Sequence, residues 1–307
     1  PVLKARLAIH DGDVMMQRCD DAPASVVCRE VEIEPDRTFF QGRVRPFDLF
    51  DSLYRLEVYH LKGSGKPKVW LFSDFHHIIF DGGSSYVFFN DLQRALGGEN
   101  VGMETYTAFD RALDEQEMQQ SERFAQDELY FDRLLSCYEV ASYPRSAVPD
   151  STCSGLGHCT FTVDGEIING VCRKYAVTEN SYFMTAVTQV LHRILREDSL
   201  LFTSISNGRS TAEMENTVGM FVQTLPVVTA SSGGCAIDVV KDVQKQFIDT
   251  QFHSIYPFTK LVEKHGVHPE IMYVHQGFGG LNVSGDISGK EQSESLELDT
   301  AKMPLLI

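Results

Sequence analysis

This sequence is short of tryptophan, basic residues and long apolar runs, and each shortage excludes something. There is one Trp, and 27 Lys and Arg stand against 43 Asp and Glu, a formal net charge of −16 over 307 residues. Nucleic-acid recognition needs a basic footprint that displaces counterions from phosphate, and this chain has the opposite balance. The same charge opposes anionic membrane surfaces. No run of about 18 apolar residues occurs, so no membrane-spanning helix is expected. The seven cysteines are scattered, odd in number and without a CxxC pair. That pattern reads as reduced thiols of a cytoplasmic protein, not as a disulfide framework. The start at Pro1-Val2-Leu3 carries no secretory signal. Also missing are GxGxxG, GxxxxGK[ST], HExxH and GxSxG, so dinucleotide, P-loop, zincin and serine-hydrolase readings lack their residues.

What is present is enough for a sizeable core. Hydrophobic residues make up 43% of the chain and include 20 Phe, which suits one large domain or two moderate ones. Strands are expected at 3–9 and 13–18 around Asp11-Gly12, at 27–33, and at 53–61 and 69–75. A helix is expected from Ser84 to Leu96, capped by Ser84 or Ser85 and ended by Gly97-Gly98. Residues 104–138 read as a charge-rich helical region broken once. Pro and Ser collect at 143–157, the best linker candidate. Beyond it come a strand at 158–163, helices at 166–175 and 178–196, a strand at 201–206, an amphipathic helix at 236–254 and a strand at 271–275. Residues 279–298 read as a polar surface loop. The expected architecture is α+β, with lobes at 1–150 and 151–307 flanking a cleft.

The stretch richest in chemistry is His76-His77-Ile78-Ile79-Phe80-Asp81-Gly82. It joins the end of an apolar strand to the start of a helix, where a side chain can face a cleft. Two adjacent histidines suggest a metal, but no third and fourth ligand stand at suitable spacing, so none is expected.

Together with other segments in order, this stretch resembles the condensation domains of nonribosomal peptide synthetases, within the chloramphenicol-acetyltransferase-like acyltransferases. His76–Ser84 is similar to the HHxxxDGxS signature, and Arg45-Pro46-Phe47-Asp48-Leu49 to the RPFDL stretch before it. Tyr106–Asp110, Asn207-Gly208-Arg209, Val218–Pro226 and His253–Phe258 resemble later motifs. The resemblance implies a V of two lobes with His77 facing the channel between them, as a base or as an anchor for the attacking amine. His76 takes a structural role. Asp81 pairs with Arg209 and locks the loop across the lobes. Gly82 serves backbone geometry, and its N–H is a candidate oxyanion donor. Ser84 and Gln223 are candidate channel residues. Gln223 stands where the family has Asn, keeping the amide but adding a methylene.

The implied reaction is amide formation between a donor thioester and an aminoacyl acceptor, both carried on the 4'-phosphopantetheine of peptidyl carrier proteins beside an adenylation domain. No cofactor is bound directly, and a monomer is expected. The resemblance also implies that the chain lacks segments at both edges of the family domain. The histidines exclude heterocyclisation, and the absence of Trp-Arg after Gly82-Gly83-Ser84 disfavours epimerisation. Two other functions stay open: an inactive condensation-like domain that recruits a partner, and a stand-alone acyltransferase with a soluble acceptor.

Overall fold

The computed structural model describes residues 1–20, 25–63, 68–136, 162–231, 233–275 and 305–307. In chain order these form a 3-10 turn (Val2–Lys4), β1 (Ala5–His10), β2 (Asp13–Arg18), β3 (Val26–Val31), α1 (Arg37–Gln41), β4 (Tyr54–Leu61), β5 (Val69–Phe75), α2 (Gly82–Leu96), α3 (Ala108–Met118), α4 (Glu122–Ser136), α5 (Gly165–Tyr175), α6 (Glu179–Leu195), β6 (Ser199–Ser206), α7 (Ala212–Glu215), β7 (Gln223–Ala230), α8 (Ala236–Phe252), α9 (Phe258–His265), β8 (Ile271–Tyr273) and β9 (Leu305–Leu306). The class is α+β, as expected. None of the described helices is long and apolar enough to cross a membrane.

The described residues divide into two compact units. Pro1–Leu113 and Arg209–Phe221 belong to the first; Asp114–Gly208 and the chain from Val222 to residue 275, with 305–307, belong to the second. The expected boundary at 150/151, the linker 143–157, the loop 279–298 and most of the strand at 158–163 lie outside the described residues.

In the first unit β1 and β2 form an antiparallel hairpin. Asp11 and Gly12 both take positive φ there (52° and 94°), as the tight turn requires. Strand β4 lies between β3, parallel to it, and β5, antiparallel to it. Val2, Ala5, Leu53, Ile79 and Phe80 form the buried cluster beside it. In the second unit the sheet runs β7-β6-β8-β9. Met184 and Leu191 of α6 and Val239, Val243 and Phe247 of α8 pack on Leu200 and Phe202 of β6 and Leu225 and Val227 of β7. Each such side chain is worth about 1.5–3 kcal/mol of burial.

Several elements differ from expectation. The helical region at 104–138 is two helices, and Ser121 receives the Phe124 amide at 3.2 Å at the break. Helices α1, α7 and α9 and strands β7 and β9 were not expected. Strand β7 contains Pro226, which argues against a central strand but not against an edge one, and β7 lies at the edge of its sheet.

Candidate active site

Strand β5 ends at Phe75 and delivers two histidines into a tight turn. The His76 amide donates to the Leu53 carbonyl at 2.8 Å, and the Ile79 and Phe80 amides fold back onto the carbonyls of His76 and His77 at 3.1 and 3.4 Å. Ile79 is fully buried and Phe80 is 8% exposed; the Phe80 ring stacks on Phe75 at 3.9 Å between centroids. Anchoring these two side chains in the core leaves His77 and Ile78 exposed at the tip.

The two imidazoles then take different roles. His77 Nδ1 lies 2.8 Å from the Phe80 carbonyl. A carbonyl only accepts, so Nδ1 carries a proton, and the neutral tautomer compatible with this bond is the one with its lone pair on Nε2. His76 is half-buried: its Nδ1 accepts the Ile78 amide at 3.1 Å, and its ring meets Phe47 edge-on at 5.7 Å. A structural part for His76 suits this geometry.

Behind the turn is a buried polar network. Asp81 caps α2, its Oδ1 accepting the Ser84 amide at 2.7 Å; the cap is therefore Asp81, not Ser84 or Ser85. The reason is register. The chain enters its first helical turn at Gly82, so Ser84 is the third helical residue and supplies the capped N–H. Asp81 Oδ1 also accepts from Arg209 Nη2 at 2.7 Å, and Oδ2 accepts the Phe221 amide at 2.9 Å. The side chains of Arg209 and Asp81 are 2% and 1% exposed. Arg209 Nη1 donates to the carbonyls of Met214 and, at 2.7 Å, Thr217, while its guanidinium sits 4.3 Å over the Phe221 ring.

Burial by itself would raise the Asp81 carboxyl, but the amides of Phe221 and Ser84 and the Arg209 guanidinium outweigh it and hold the group below the usual carboxylate range. Asp81 and Arg209 both belong to the first compact unit. The pair therefore ties Arg209–Phe221 to α2 within one unit; this corrects the expectation of a lock across lobes.

Ser84 has no exposed surface. Its hydroxyl lies 2.7 Å from the Gly219 carbonyl and 2.8 Å from Asp81 Oδ1, its single proton serving one at a time, and it accepts from the Gly219 amide at 2.9 Å. Ser84 is thus inside the network and not on open surface. Gln223 opens β7 in the second unit, half-buried, and its Nε2 donates to the Ser254 carbonyl at 3.2 Å. Gly82 is exposed, and a Cβ on it would meet nothing within 4 Å. As the first residue of α2 its N–H has no intrahelical acceptor.

Sequence reasoning missed Gly83 and Gly219. A Cβ on Gly83 would stand 2.9 Å from Arg209 Cζ, and one on Gly219 would stand 2.9 Å from the Ala108 Cβ. Glycine at each position lets backbone approach a packed side chain; the doubled Gly82-Gly83 was the available signal for Gly83. Among the described residues no group of three or more His, Cys, Asp or Glu is placed to hold a metal ion.

A family model described as Condensation domain matches residues 2–274. This chain belongs to the condensation-domain family. Among curated relatives, Surfactin synthase subunit 1 of Bacillus subtilis (strain 168) is 29% identical over 231 residues, covering 71% of this chain and 6% of that protein. Tyrocidine synthase 2 of Brevibacillus parabrevis is 28% identical over 270 residues, covering 83% of the chain and 7% of that protein. The condensation domain thus spans a small part of the synthetases it matches. Among solved structures, the first condensation domain of the calcium-dependent antibiotic synthetase, in complex with a substrate analogue, aligns with a TM-score of 0.68 at 20% identity, over 89% of this chain and 67% of that one. That likeness fixes the fold.

Proposed function

We propose that this condensation domain forms an amide bond between an acyl or peptidyl thioester donor and an aminoacyl acceptor, each carried on the phosphopantetheine arm of a peptidyl carrier protein next to an adenylation domain. The observation that carries the reading is the exposed His77 residue, whose Nδ1 is bonded to the Phe80 carbonyl, which leaves Nε2 as the ring's acceptor. Nε2 accepts an N–H of the attacking amine and takes its proton as the new C–N bond forms. The C–S bond then breaks, and the proton passes to the departing thiolate, so donor arm, product and imidazole all end neutral. The exposed Gly82 amide, at the positive end of α2, is the group we assign to the developing oxyanion. Asp81, Arg209, Ser84 and His76 hold the turn and touch no reacting atom.

The test is to load two carrier proteins, one with a donor and one with an aminoacyl acceptor, and to follow the amide product by mass spectrometry. His77→Ala is expected to lower the rate by about 10²–10⁴-fold with an unchanged melting temperature, since the ring is exposed. Undiminished product from His77→Ala would sink the assignment. Product formed equally well from a free amine would instead point to a soluble acceptor.

A further inference from the structure

The turn that carries His77 is braced from a side outside the HHxxxDG segment. Arg55 on β4 and Asp74 on β5 are direct partners in antiparallel register, their side chains 13% and 19% exposed. Arg55 Nη1 donates to Asp74 Oδ2. Its Nη2 donates to the carbonyls of Arg45 at 2.7 Å and Pro46 at 2.9 Å. The same guanidinium lies 3.7 Å over the Phe47 ring. Phe47 in turn meets the His76 ring at 5.7 Å and 89°, and His76 holds the Ile78 amide inside the turn.

One planar cation thus joins β5, the backbone at 45–46 and an aromatic ring that abuts the first residue of the turn. Lysine could keep the attraction to Asp74 but not the forked donors or the stacked plane. Burial pushes the Asp74 carboxyl up, against the pull of Arg55 and then His76. The guanidinium thus has two backbone carbonyls, a carboxylate and a ring face as partners at once.

We propose that Arg55 and Asp74 form a clamp of positioning residues that holds Phe47 and His76, and through them sets the orientation of the His77 ring. The clamp rests on the amide-forming reading for its kinetic consequence, but not for its effect on the ring. Two variants test it, Arg55→Lys and the near-isosteric Asp74→Asn. The first measurement is imidazole ¹⁵N and ¹³C chemical shifts in labelled protein, with the His77 signals assigned by their loss in His77→Gln. The wild type is expected to show His77 protonated at Nδ1, and both variants to move toward a mixture of tautomers.

The second measurement is kcat and KM in the carrier-loaded assay. The expected result is kcat down by about tenfold or more, because small misplacement of a reacting group is costly, with KM changed by less than about twofold. A merely structural pair would lower the melting temperature and leave the His77 tautomer alone. Unchanged His77 signals in folded Arg55→Lys and Asp74→Asn overturn the clamp. An inactive wild type whose His77 signals still shift in the variants supports the clamp and removes the amide-forming reading instead. Should Arg55→Lys not fold, Asp74→Asn decides.

Discussion

Arg209 and Asp81 meet as an ion pair at 2.7 Å. Both are buried, and the guanidinium also holds the Met214 and Thr217 carbonyls. Arg209→Ala leaves a buried carboxylate without its cation, so a loss of about 3–5 kcal/mol is expected in urea unfolding. Removing both charges, with Arg209→Leu and Asp81→Asn together, should cost less than the sum of the single changes; strict additivity would show that the two do not act as a pair. The neighbouring glycines give a sharper contrast. Gly83→Ala drives a methyl group toward the Arg209 guanidinium and should cost about 1–3 kcal/mol. Gly82→Ala meets open space and should leave the melting temperature unchanged; under the proposed oxyanion role of the Gly82 amide it should also lower kcat. Equal melting temperatures for the two variants would contradict the packing described around Gly83.

Helices α5 and α6 each end on a residue in the left-handed region, Ala176 at φ 55° and Arg196 at φ 58°. A side chain makes that conformation unfavourable by about 1–2 kcal/mol, and glycine relieves it. Ala176→Gly should therefore raise stability by about 1 kcal/mol, measured as a higher urea midpoint at constant m-value; a lower midpoint would refute the end geometry. The same elements show what the sequence made legible. Thr178 as the cap of α6 was readable because Thr precedes a long periodic run, and its hydroxyl does receive the Ser181 amide at 3.1 Å. The strand–turn–helix around His77 was readable for the same reason, from an apolar run followed by Asp-Gly. Helix α1 was not. Five residues are too few to show a period, and only the Asp36 cap, 2.8 Å from the Phe39 amide, marks it. Strand β7 was hidden by Pro226, which only the sheet order explains. The site was legible where motif residues carry it and opaque where geometry does. Nothing local in Arg55 or Asp74 marks them as register partners, because that depends on how β4 and β5 align.

At the scale of the whole molecule Asp81 contributes to the acid limit of stability. Its carboxyl is held below the usual range in the folded state, so the unfolded chain takes up the proton first as pH falls. The contribution is therefore fully present above about pH 4, the ordinary carboxyl value, and is lost as pH falls through the lower folded value. Wild-type stability should drop across that window, and Asp81→Asn, though less stable at pH 7, should lose less over the same interval; parallel curves would show that Asp81 contributes nothing to the slope. The partners of that carboxylate lie far along the chain, since Arg209 is 128 residues beyond Asp81. A ribosome adding about 5–20 residues per second needs roughly ten seconds to cover that distance. For that interval the nascent polypeptide carries its histidine turn without the cation and the amide that brace it. A chain cut short before Arg209 presents the signature residues yet lacks their scaffold, so the histidine turn takes its shape only once the chain has passed Phe221.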